Sequence, residues 1–147
     1  MTATFDDEYF MKKALQEAGA AYEKGEVPVG AVIAIDNRVI AKAHNLTETL
    51  TDVTAHAEMQ AITSAASFLG GKYLKGCTLY VTLEPCQMCA GALYWSQISR
   101  IVFAAADPHR GFRAMHASIH PKTEVKEGIM EAEASELLKS FFRKKRG

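Results

Sequence analysis

Cys86 and Cys89, in the stretch LEPCQMCAG from Leu83 to Gly91, stand three residues apart directly after a proline. Pro85 suits the first turn of a helix, where its missing N–H would have no partner, and the spacing then puts both sulfurs on one face of a helix N-terminus. The positive potential at that end lowers a thiol pKa and favours the thiolate that a metal requires. Taken alone, the pair also fits a dithiol redox motif. A second stretch, AHAEMQAI from Ala55 to Ile62, sets His56 and Glu58 at the opening of another apolar helical pattern. Alone it reads as a helix start with an acidic residue near its positive end. Combined, His56, Cys86 and Cys89 make two thiolates and one imidazole, three protein ligands for zinc with a fourth tetrahedral position left for water. That open position separates a catalytic site from a structural one. Zinc lowers the pKa of a bound water to about 7, and Glu58 is placed to take a proton from that water and return it to a leaving group. This is hydrolytic chemistry, suited to replacing an amino group on a heterocycle by oxygen while ammonia leaves.

The ligands need a frame that brings two helix starts together. Apolar residues Tyr9, Phe10, Ala14, Leu15, Ala18, Ala21 and Tyr22 recur at helical spacing from Asp6 to Tyr22, and EKGEVP ends that helix. Val29–Ile35 and Val39–Ala43 are β-branched runs around Asp36 and Asn37, which predicts a hairpin. A polar segment, HNLTETLTDVT, leads into a helix from about Ala55 to Phe68, closed by Gly70 and Gly71. Cys77–Leu83 reads as a buried strand, Pro85–Ile98 as a helix and Arg100–Ala106 as a strand, which makes a crossover unit. After a mixed loop from Asp107 to Pro121, KTEVKEG holds a short edge strand and Met130–Arg146 a last helix with a basic end. The alternation predicts an α/β fold of three α/β/α layers, with a largely parallel half and an antiparallel hairpin at one side.

The chain has 147 residues, 48% of them hydrophobic, which suits a single domain over 1–147 with a real core. No apolar run approaches the roughly 18 residues needed to cross a bilayer, and MTATFDDEYF carries acids where a signal peptide has bases, so a soluble, cytoplasmic protein without a membrane partner is expected. Lysine and arginine total 17 and aspartate and glutamate 17, so overall charge announces no nucleic-acid partner, although totals conceal local patches. Three cysteines, with two so close, argue against a disulfide framework.

The pattern HAE followed by PCQMC resembles the signature of zinc-dependent cytidine and adenosine deaminases. Within that superfamily the chain is similar to the bacterial tRNA-specific adenosine deaminases. The matching pieces are EVPVGAVI (Glu26–Ile33), TAHAEMQAI (Thr54–Ile62), TLYVTLEPCQMCAGAL (Thr78–Leu93), RIVFAAAD (Arg100–Asp107) and FFRKKR (Phe141–Arg146). The resemblance implies a cytidine deaminase-like fold with a mixed five-stranded sheet between helices. It implies one Zn2+ per subunit on His56, Cys86 and Cys89, with Glu58 as proton shuttle. It further implies that Asn45 holds the purine and its ribose, that Pro28, Val29 and Gly30 line the nucleoside pocket beside Ala57, and that Asp107 lies beside a flipped nucleotide. The implied substrate is the adenosine at the wobble position of a tRNA anticodon loop, converted to inosine by a homodimer. The segment after Asp107, DPHRGFRAMHASIHPKTEV, is shorter than the usual form.

Several residues carry two readings. Asn45 is a substrate contact or a turn former. Cys77 is a small buried residue, and His44, His109, His116 and His120 are loop or surface histidines rather than a second metal site. His109, Arg110 and Arg113 meet RNA phosphates or solvent. The tail Arg143, Lys144, Lys145 and Arg146 complements the negative end of the last helix; beside Phe141 and Phe142 it also suits RNA, where cations track phosphate and aromatics stack. Tyr94 and Trp95 cannot share one face of a helix, so one of them is expected to meet another subunit. A deaminase of free bases or nucleosides such as cytosine or guanine is the alternative enzyme, because pocket walls select the substrate. A non-catalytic RNA-binding or zinc-stabilised module is disfavoured by the intact Glu58.

Overall fold

The computed structural model describes residues 4–146, so the first three residues of the acidic N-terminal stretch and Gly147 lie outside it. The chain runs α1 (Asp7–Glu23), β1 (Gly30–Ile35), β2 (Arg38–His44), α2 (Ala57–Leu69), β3 (Thr78–Leu83), α3 (Gln87–Ser96), β4 (Arg100–Ala105), β5 (Glu124–Glu127) and α4 (Glu131–Arg146). Asp6 caps α1 through its Oδ1, which accepts from the Tyr9 N–H at 2.9 Å. The apolar stripe Phe10, Met11, Ala14, Ala18 and Ala21 turns inward. Asp36 and Asn37, both with positive φ, make the two-residue turn between β1 and β2, as their residue types predict.

The strands form one mixed sheet in the order β2-β1-β3-β4-β5. β1 pairs antiparallel with both β2 and β3, whereas β3, β4 and β5 run parallel, with α3 as the crossover. Alternating side chains feed two cores. Ala31, Ile33, Leu79, Val81, Ile101 and Phe103 pack with α2 and α3, while Val32, Ala34, Tyr80, Val102 and Ala104 pack with α1 and α4. The result is the three-layer α/β/α arrangement, with β5 as an exposed edge. None of the described helices is long and apolar enough to cross a membrane.

Two boundaries differ from the sequence-based expectation, and both bear on the site. α2 opens at Ala57 with His56 as its N-cap, and α3 opens at Gln87 with Cys86 as its N-cap. Pro85 therefore precedes the helix and does not occupy its first turn. An isolated antiparallel bridge between Cys86 and Gly111 holds Cys86 extended, and this delays the helix start.

Candidate active site

The α2 and α3 N-termini meet at the C-terminal end of β3. His56 and Cys86 occupy N-cap positions, yet neither side chain makes a capping hydrogen bond, so both are free to point at a common centre. Cys89, fully buried, enters from the first turn of α3. The His56 Nδ1 lies 3.6 Å from Cys86 Sγ and 3.7 Å from Cys89 Sγ, and all three donor atoms lie within 4.8 Å of one another. Metal bonds of about 2.1 Å to nitrogen and about 2.3 Å to sulfur at a tetrahedral angle separate such atoms by about 3.5 Å. One imidazole and two thiols at this spacing fit zinc.

Electrostatics favour anionic sulfur. The hydrogen bond from Cys89, with His56 beside it, holds the Cys86 thiol down at about 4, and the positive ends of two helices face the cluster. Its hydrogen bond to Cys86, together with burial, pushes Cys89 up, an effect that a cation at the centre would oppose. The contact with Cys86 raises His56. Glu58, in the first turn of α2, is 4% exposed, and burial pushes its carboxyl up to about 7.

His56, Glu58 and Cys86 line the floor of a cleft of about 410 Å³, with Cys89 buried behind them. Its apolar walls are Val27, Val29, Leu83, Leu138 and Phe142; Asn45 and Thr47 stand on one side and Asp107 and Arg110 at the mouth. The Asn45 Oδ1 accepts the Ala57 N–H at 2.8 Å, which leaves its amide nitrogen as the free donor and ties the pocket wall to the helix carrying Glu58. Asp107 Oδ1 accepts from the N–H groups of His109 (3.1 Å) and Arg110 (2.9 Å), so this side chain also shapes its own loop.

Other expected site residues stand elsewhere. Pro28, Gly30 and Ala57 are buried behind the cleft wall. Gly30 serves the close approach of β1 to α1, since a Cβ there would overlap the Ala14 carbonyl and the Ala18 nitrogen. Of the basic tail, Arg143 pairs with Glu136, Lys144 lies over Tyr22 and Lys145 over Phe141, and Arg146 is exposed; only the neighbouring Phe142 reaches the cleft. Arg113 does not line the cleft, because Glu84 and Glu127 hold its guanidinium. His44 bonds Glu17 and Lys24. Sequence reasoning missed Val27, Thr47, Glu84 and Leu138 on the lining and the buried Glu26, whose carboxylate accepts from Thr49 N (2.6 Å), Thr49 Oγ1 (2.7 Å) and Glu48 N (3.1 Å). Alternation of Val27 with Val29 was the one available signal.

The family model for the cytidine and deoxycytidylate deaminase zinc-binding region matches residues 4–105, which include all three candidate ligands and Glu58. The chain belongs to this deaminase family. It is 52% identical to the tRNA-specific adenosine deaminase of Aquifex aeolicus over 95% of both chains, and 47% identical to that of Bacillus subtilis over 95% of this chain and 91% of the other. A solved structure from work on A-to-I editing by tRNA:A34 deaminases at the wobble position superposes with a TM-score of 0.82 at 44% identity, over 88% of this chain and 99% of that one. A guanine deaminase from Bacillus subtilis superposes at 0.67 with 40% identity, over 69% of this chain and 66% of that one. In this deaminase the zinc-binding family implies one zinc per chain, and His56, Cys86 and Cys89 are a group whose spacing could hold it.

Proposed function

We propose that this deaminase hydrolyses adenosine to inosine at the wobble position of tRNA, in the cytoplasm, as a one-domain subunit of a homodimer. The observation that carries the reading is Glu58, buried and beside the three metal donors at the floor of a cleft whose mouth offers Arg110 and Phe142. Near-complete alignment with tRNA-specific adenosine deaminases supports the RNA substrate.

When bound, zinc supplies a water acidic enough to react near neutral pH. The rest falls to the chain's own groups. Val27, Val29, Leu83 and Leu138 take the unstacked purine between apolar walls, and Phe142 stacks at the rim. The Asn45 amide donates to a ring nitrogen or to the ribose, which orients the purine in the cleft toward Glu58. Glu58 takes one proton from the attacking water and delivers it to N1, then takes the second from the hydroxyl now on the reacting carbon and passes it to the departing amine, so ammonia leaves and the ring keeps the oxygen as a carbonyl. A carboxyl raised by burial suits both halves of that cycle. The exposed apolar side chains Leu50, Val53, Phe68 and Trp95 support the homodimer.

The Glu58→Ala variant tests the chemistry on an anticodon stem-loop with adenosine at the wobble position. Turnover is expected to fall by at least about a hundredfold with one zinc per chain retained. Loss of the zinc would make Glu58 a structural residue, and retained turnover would remove it from proton transfer.

A further inference from the structure

Glu84, two residues before Cys86, is a buried carboxylate on the cleft wall that the proton chemistry does not use. Its Oε1 accepts from the Asp107 N–H at 3.0 Å and from Arg113 Nη2 at 3.1 Å; its Oε2 accepts from the Arg113 N–H at 3.1 Å and Arg113 Nε at 3.2 Å. The Arg113 guanidinium also pairs with Glu127 on β5 and lies 5.1 Å from the centroid of the Phe103 ring. Gly111 is pressed onto the same carboxylate: a Cβ there would overlap its Cδ and Oε2. The loop is further joined to the turn bearing Cys86 by the Cys86–Gly111 bridge and by the Phe112 N–H, which donates to the Pro85 carbonyl at 2.8 Å.

We infer that Glu84 and Arg113 are positioning residues that clamp the Asp107–Arg113 loop onto the metal-ligand turn, so that Asp107 and Arg110 stand at a fixed distance from the reacting centre. The inference rests on the proposed RNA reading for its kinetic consequence. Each Glu84 oxygen accepts one backbone N–H and one guanidinium N–H, so a neutral amide cannot replace the carboxylate: its NH2 would face a backbone donor whichever way it turned. The planar fork of arginine supplies both remaining donors in one geometry, which lysine cannot reproduce. The clamp lies between the substrate wall and the ligand turn, and it touches neither a metal donor nor the floor carboxylate. Its loss therefore loosens substrate binding ahead of chemistry.

Three variants test the clamp: Arg113→Ala removes the fork, Arg113→Lys keeps charge without it, and Gly111→Ala presses on both the Glu84 carboxylate and the Asp107 carbonyl without changing any charge. In Arg113→Ala and Gly111→Ala, KM for the wobble stem-loop is expected to rise about tenfold or more with kcat within about threefold. Arg113→Lys should recover part of the KM, zinc should remain one per chain, and hydrogen exchange at the Asp107 and Arg113 amides should quicken. Unchanged KM and exchange, or loss of zinc from both variants, would overturn the inference. If the wild type fails to deaminate the stem-loop, the RNA reading falls and the exchange measurement alone decides: unaltered protection refutes the clamp, and lost protection upholds it.

Discussion

His56 and Cys86 are both helix N-caps whose side chains decline the capping bond, and this is how two chain segments thirty residues apart present donors to one point. Serine at Cys86 or Cys89 would retain the helix start but remove a thiolate, so each substitution should reduce bound zinc and, with it, activity by about tenfold or more, measured by metal analysis beside turnover. That His56, Cys86 and Cys89 would come together was legible in the sequence, because residue type and spacing single out that set. Pro28 and Gly30 were less so. Family resemblance suggested that they line the nucleoside pocket; the fold buries both, and Gly30 also serves the packing of β1 on α1. Glu26 and Glu84 left no sequence signal, because a buried acid is explained only by the distant backbone donors that satisfy it.

Among the elements, the periodic ones were read nearly to their ends. α1 and the strands β1 to β4 announce themselves by apolar residues, whereas β5, Glu-Val-Lys-Glu and wholly exposed, is an edge strand with one apolar residue, and α3 starts two residues late because the Cys86–Gly111 bridge is a tertiary fact. The seat of α1 on β1 depends on Gly30, and Gly30→Ala should destabilise the fold by about 2 kcal/mol or more through overpacking, seen as a lower denaturation midpoint. At the start of α1, Asp7 accepts both arms of the Arg100 fork at 2.6 and 2.7 Å, together with the Tyr80 hydroxyl and Lys126. Arg100 first, with these partners and against the opposing effect of burial, holds the Asp7 carboxyl well below its usual range. A carboxyl depressed on folding contributes stability above its ordinary value of 3.8 and loses it as pH falls through the lower folded value. Asp7→Asn should therefore cost about 2 kcal/mol at neutral pH, with the gap to wild type closing below about pH 3. A gap that stays constant under acid would deny the pair its role.

For the whole molecule, the active-site cleft lies where two helix N-termini, the end of β3 and the C-terminal helix converge, and Val53, in the loop before α2, and Trp95, near the end of α3, remain 83% and 77% exposed. In a homodimer joined through these side chains, glutamate at Val53 or at Trp95 should shift the protein from dimer to monomer in sedimentation equilibrium. The tail is part solvated helix end and part aromatic-stacked cation, so neutralising Arg143, Lys144, Lys145 and Arg146 should flatten the salt dependence of RNA affinity by about 0.7 in logarithmic slope for each phosphate that the tail no longer neutralises. An unchanged slope would assign those charges to the helix alone. The substrate itself is decided by a direct comparison: zinc-loaded protein incubated in parallel with a wobble-adenosine stem-loop and with free adenosine, guanine and cytosine, each product identified by mass. Inosine in the RNA, with the free compounds left intact, is the expected result; deamination of a free base or nucleoside with the RNA untouched would contradict it.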